Sequence, residues 1–275
     1  MSNQQKPDNL FRLHTPARGH DRRGIRRGVS LLPSLFTLAN LFCGWVCVVH
    51  AMRGEVATAA PLIGIAIVLD MLDGRIARMT GTTSDFGVQL DSLADLISFG
   101  MAPAVLAFQW GLAPLGRMGW AVGFMYLTAT ALRLARFNIQ VNTDKRYFIG
   151  LPSPAAAGLV AATVFYFPEG LQAKPQAWLG FAMLVVLALL MVSTIRFQSF
   201  KTFDLGMRRG WRGLFLVAAG IALMVSYPHE VLIVMAYTYF ASGFIGQAMA
   251  RFGGRKDAPD AAPAPASQRR TKDAS

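Results

Sequence analysis

The chain is predicted to fold as an all-α, polytopic membrane bundle of about eight transmembrane helices, and three observations lead there. Its 275 residues are 53% hydrophobic and only 15% charged, with a mean hydropathy of +0.39; a water-soluble domain carries about 25% charge. Apolar runs of about 20 residues, long enough to cross a bilayer, recur along it. The positive residues gather in alternate connecting segments, as the positive-inside rule requires. The net charge of +12 is accounted for by those segments, so no nucleic-acid partner is expected.

Taken in order, residues 1–32 form a basic segment with Arg22, Arg23, Arg26 and Arg27 ahead of the first apolar run. It reads either as an interfacial stretch touching anionic headgroups or as a solvated positive flank. The first hydrophobic stretch is too long for a signal peptide and lacks a cleavage site. Residues 33–249 hold the spans: 33–52, 56–78, 86–110, 118–137, 153–168, 177–195, 212–227 and 231–249. The fifth and seventh are short, which leaves six or seven spans as alternatives. Cys43 and Cys47 lie one turn apart in the first span and read as packing residues. Gly150, Pro152 and Pro154 set the entry to the fifth span. Residues 250–275 are rich in Ala, Pro and charge and read as a disordered tail. No internal repeat is evident, which argues against an inverted-repeat transporter.

The segments 1–32, 79–85, 138–152, 196–211 and 250–275 are rich in Lys and Arg, whereas the opposite loops hold only Arg53, Arg117 and Lys174. Eight spans therefore place both termini in the cytoplasm of an inner-membrane protein. The short hairpin 79–85 then lies on the cytoplasmic side.

At that hairpin stands the run Asp70-x-x-Asp73-Gly74-x-x-Ala77-Arg78, eight residues, then Gly87-x-x-x-Asp91-x-x-x-Asp95. An aspartate costs roughly 2.5–3.5 kcal/mol at the centre of a span and less near its ends, so four of them need a compensating partner. Asp70 and Asp73 are i and i+3, Asp91 and Asp95 i and i+4, so each pair shares a helix face. Four convergent carboxylates without His or Cys suit a hard cation, Mg²⁺ or Mn²⁺. Two ions is the natural count against the mutual repulsion of four acids. Gly74 and Gly87 leave room for close approach, Arg78 can meet a phosphate, and one of Thr82, Thr83 and Ser84 is expected to cap the third helix. Interhelical ion pairs are the plain alternative, but only Arg75 and Arg78 are local. His50 and His229 fall near the far membrane face, and His14 and His20 lie in the N-terminal segment without a visible partner.

This spacing resembles the signature of the CDP-alcohol phosphotransferase family, with all eight fixed positions present. The resemblance implies a six-helix catalytic core, metal binding by Asp70, Asp73 and Asp91, and Asp95 completing the second metal site and serving as general base. It implies that Gly74, Arg78 and Gly87, with Ser84 beside them, line the pocket for the donor, CDP-diacylglycerol. A homodimer is also implied. Two metals would suit phosphoryl transfer, which needs charge neutralisation and in-line positioning.

Three flanking segments, Leu32–Gly44, Asp91–Pro103 and Leu132–Asn138 with Phe148–Pro154, are similar to the phosphatidylserine synthase branch. That likeness implies L-serine as acceptor. Serine carries a carboxylate and an ammonium, so Arg133 and Arg136 are candidates for its carboxylate or for the donor phosphates. They also read as positive-inside anchors. Asn138 could hydrogen-bond the amino acid. Asn40, inside the first span, reads either as a donor-headgroup contact or as an interhelical hydrogen bond. Glycerol 3-phosphate or inositol as acceptor is the nearest rival, and a divalent-cation transporter the rival from another class; the carboxylates stop near one face, which disfavours a transport path.

Overall fold

The computed structural model describes residues 22–81, 84–139, 147–171, 173–193, 196–198 and 211–252. It is helical almost throughout, as the composition predicts. The helices are α1 (Arg22–Met52), α2 (Val56–Thr80), α3 (Asp85–Asp95), α4 (Ala102–Ala107), α5 (Arg117–Ile139), α6 (Ser153–Tyr166), α7 (Lys174–Val192), α8 (Trp211–Ser226) and α9 (Pro228–Phe252). Two three-residue strands, β1 (Tyr147–Ile149) and β2 (Arg196–Gln198), pair antiparallel with Phe148 opposite Phe197. This ribbon joins the α5–α6 and α7–α8 connections and is absent from the all-α expectation.

Helices stand where the eight apolar runs predict them, with two differences of detail. The first helix begins at Arg22 and not at 33. Continuing the helix satisfies backbone N–H and C=O groups where the chain leaves water. The third run is one helical rod from Asp85 to Leu115, but it is not uniformly α-helical. Between α3 and α4 lies a π-helical segment, Leu96–Met101, and after α4 a second, Phe108–Leu112, closed by a 3₁₀ turn at Ala113–Leu115. Single-turn π segments of this kind are frequent at functional sites.

The helix ends have local causes. Gly81 adopts a left-handed φ of 62° and donates its N–H to the Ala77 carbonyl, which stops α2 in a way only glycine does cheaply. Ser84 caps α3, its hydroxyl accepting from the Gly87 N–H at 3.0 Å; of the three expected hydroxyls this is the one described, Thr82 and Thr83 lying outside the described residues. Gly150 has φ 83°, and a Cβ there would stand 2.6 Å from the Met191 carbonyl oxygen. It lets the chain turn tightly under α7 before α6 begins, as predicted.

Among the described residues, four helical stretches are long and apolar enough to cross a membrane on their own: Ser34–Met52, Val56–Thr80, Asp85–Leu115 and Lys174–Val192. The protein is therefore a multi-pass membrane protein. The apolar α6 is shorter, and α8 and α9 meet at 116° across Tyr227. α1 lies along α2 and reaches the whole upper part of the third rod; α5 packs on α7, and α6 on α2 and α9. The core where these meet holds Ile63, Phe99, Leu106, Tyr126, Val160 and Leu184, all fully buried. Cys47 is buried and Cys43 partly so, both free thiols in packing positions. The tail beyond Phe252, and His14 and His20, lie outside the described residues.

Candidate active site

α2 and α3 meet at the Gly81 turn, and this brings their acids together. Carboxylate oxygens of Asp70, Asp91 and Asp95 all lie within 4.8 Å of one another. Asp95 retains 9% of its exposure, and Asp91 Oδ1 is buried without a hydrogen-bond partner among the described residues. Buried carboxylate oxygens this close repel one another unless a cation or other donors intervene. Three all-oxygen ligands with an orphaned oxygen among them fit Mg²⁺ or Mn²⁺. The cluster could hold a metal.

Asp73 stands slightly apart. It is 4% exposed and its Oδ2 accepts from the Thr37 hydroxyl of α1 at 3.0 Å. Asn40, one turn further along α1, is fully buried and donates through Nδ2 to Asp95 Oδ1 at 3.2 Å. Of the two readings open for Asn40, the interhelical hydrogen bond is present, and its acceptor is an aspartate of the cluster. Ser98, in the π-helical segment just after Asp95, donates to the Asn40 backbone carbonyl at 2.9 Å.

The remaining candidates take up distinct places. The Arg78 guanidinium folds back over Gly74, with Nη1 3.6 Å and Nη2 3.9 Å from where a Cβ would be; among the described residues no other side chain comes within 4 Å of that position. Gly87 is held by the Ser84 cap, and a Cβ there would stand 3.1 Å from the Ser84 hydroxyl. Arg133, partly buried on α5, donates from Nη1 to the Ser153 hydroxyl at the start of α6 at 2.7 Å. Its buried Nε has no hydrogen-bond partner among the described residues. Arg136 is half-buried one turn later. Asn138 donates to the Ser92 hydroxyl at 2.9 Å, tying the end of α5 to the helix that carries Asp91.

The far end of the bundle is different. His50 is bonded to Glu55 in the α1–α2 connection, and His229 stacks on Phe165 with ring centroids 4.0 Å apart. A groove there is lined by Trp110, Tyr166, Phe167, Leu171, Met183 and Tyr237 and contains none of the aspartates. Both histidines are remote from the acids, as expected.

Sequence reasoning missed Thr37, Ser92, Ser98 and Ser153. One signal was available for the first: Thr37 and Asn40 are polar residues three apart in an apolar span, so they share a face, and polar groups in lipid turn toward partners.

Comparison with known proteins adds to this geometry. Residues 30–195 match the model of the CDP-alcohol phosphatidyltransferase family. The CDP-diacylglycerol–serine O-phosphatidyltransferase of Helicobacter pylori (strain ATCC 700392 / 26695) is 39% identical over 221 residues, covering 78% of this chain and 90% of the relative. Its namesake from Bacillus subtilis (strain 168) is 32% identical over 173 residues, 63% of this chain and 93% of the relative. An archaetidylserine synthase from Methanothermobacter thermautotrophicus is 35% identical over 168 residues, 60% of this chain and 69% of the relative.

Proposed function

Because the chain belongs to the CDP-alcohol phosphatidyltransferase family, we propose that it transfers the phosphatidyl group of CDP-diacylglycerol to the hydroxyl of L-serine, giving phosphatidylserine and CMP. The observation that carries this reading is the convergence of Asp70, Asp91 and Asp95 at the junction of two membrane helices. The serine-specific names of its relatives supply the acceptor.

Asp95 takes the proton of the serine hydroxyl. The serine oxygen then forms a bond to the phosphorus that carries diacylglycerol. The bond from that phosphorus to the bridging oxygen breaks, and CMP leaves with the electron pair. Asp70, Asp73, Asp91 and Asp95 would hold two divalent cations, which neutralise phosphate charge when bound. Arg78 reaches over Gly74 toward the donor phosphates, and Ser84 and Gly87 border the same pocket. Arg133, oriented by Ser153, receives the serine carboxylate as a charge-assisted pair, with Arg136 and Asn138 near the entry. The acyl chains stay in lipid, which is why the acids sit at membrane depth. The loop charges put this end of the bundle in the cytoplasm, at the inner membrane. In the expected homodimer each chain carries its own four aspartates.

The test is a product assay with purified protein, CDP-diacylglycerol, labelled serine and Mg²⁺ or Mn²⁺. Labelled phosphatidylserine with stoichiometric CMP is the expected result, with glycerol 3-phosphate and inositol ignored. Consumption of either rival in place of serine would overturn the acceptor assignment. Metal flux in liposomes without donor, and no CMP release with it, would overturn the enzyme reading.

A further inference from the structure

α1 carries none of the four acids, yet it touches two of them. Thr37, Asn40 and Gly44 recur at three- and four-residue intervals and so form one stripe. The Thr37 hydroxyl meets Asp73 of α2 at 3.0 Å, and the Asn40 amide meets Asp95 of α3 at 3.2 Å. A carboxylate facing these groups accepts, so the Asn40 amide is fixed with its nitrogen toward Asp95. The third member of the stripe sets the spacing. A Cβ on Gly44 would stand 2.5 Å from the Ser98 hydroxyl and 2.8 Å from the Ser98 Cα, and that same hydroxyl is bonded to the Asn40 carbonyl. Only a glycine lets α1 approach the π-helical segment this closely.

We propose that α1 is the positioning element of the catalytic centre: Thr37 sets the Asp73 carboxylate, Asn40 sets that of Asp95, and the Gly44–Ser98 contact holds α1 at the depth where both bonds form. Each bond fixes its carboxylate from the α1 side, at Asp73 Oδ2 and at Asp95 Oδ1. Uncharged donors do this without adding a cation that would compete with the metal or pair off the base. Asn40 is thereby a positioning residue and not a donor-headgroup contact. The inference rests on the metal and base roles proposed above.

The experiment is steady-state CMP release in mixed micelles, with titrations of CDP-diacylglycerol, serine and Mn²⁺ for each variant. Removing groups that orient metal ligands characteristically costs about 10–100-fold in metal affinity or activity. Asn40→Leu is expected to lower kcat by a factor in that range while KM for CDP-diacylglycerol stays within about threefold. Thr37→Val is expected to weaken Mn²⁺ binding to the purified protein without donor or serine, followed by the paramagnetic resonance signal of free Mn²⁺, by about tenfold or more, and to raise the half-saturating Mn²⁺ concentration in parallel, with Thr37→Ser restoring both. If Asn40→Leu keeps kcat and raises KM for the donor, Asn40 binds the donor and the proposal fails. A wild-type Mn²⁺ requirement in Thr37→Val overturns it too, and that pair decides the matter should Asn40→Leu not fold. Wild-type protein without metal-dependent CMP release would instead overturn the function reading.

Discussion

The helices around the acids and those behind them are held together by different forces. α1, α2 and α3 are joined across helices by side-chain hydrogen bonds from Thr37, Asn40 and Ser98. α6 and α7 carry almost no polar group between their ends, and α6 meets its neighbours through Ala156, Ala157, Val160 and Val164, each fully buried. Lipid gives no hydrophobic force between helices, so such a scaffold relies on close van der Waals packing of small residues. Polar bonds in this bundle are therefore concentrated where chemistry is expected. The scaffold sets the frame, and the α1–α3 group sets orientation.

That contrast can be broken or sharpened by substitution. The largest effect is expected for Asp95→Asn, which removes the carboxylate proposed as metal ligand and base: CMP release should fall by about 10²–10⁴-fold with little change in thermal stability, and retained activity would sink the base assignment. Arg133→Met comes next. Losing a charge-assisted bond of about 1.5–3 kcal/mol should raise KM for serine by about 10–100-fold while KM for the donor holds; a rise confined to the donor would move Arg133 to the phosphates. Gly44→Ala and Ala157→Leu both overpack and should each cost about 1–3 kcal/mol in stability, read as a lowered melting temperature in detergent. They should differ in catalysis: the first disturbs kcat through Asn40, the second leaves the kcat of the folded fraction alone. Phe124→Leu, on the outer face at 71% exposure, should move neither quantity measurably.

Much of this arrangement was legible beforehand, because lipid makes span length and loop charge explicit. The four acids announced themselves as charges where charge is costly, and the hydroxyls of Thr82, Thr83 and Ser84 before an apolar run announced a cap without saying which of them supplies it. Three things were not legible. The π-helical segments leave the composition and rough period of the third run intact, so hydropathy passes over them. The partners of Asn40 and Arg133 depend on how helices 55 and 20 residues apart in sequence rotate against each other, and no local spacing encodes that. The β1–β2 ribbon consists of two three-residue strands, shorter than the four to eight residues over which alternation can be read.

The first π-helical segment, Leu96–Met101, has a consequence for how the acids are aimed. A π bulge is in effect one residue more than an α-helical ladder accommodates, and one residue is about 100° of rotation. The rod thus changes phase at this splice: before it the rod shows acids to α2, and after it Leu106 to the core. Deleting a single residue at the splice would leave every aspartate in the chain and the rod helical, yet turn Asp91 and Asp95 through about 100° away from Asp70. The centre could be lost as a matter of phase, with no functional group removed.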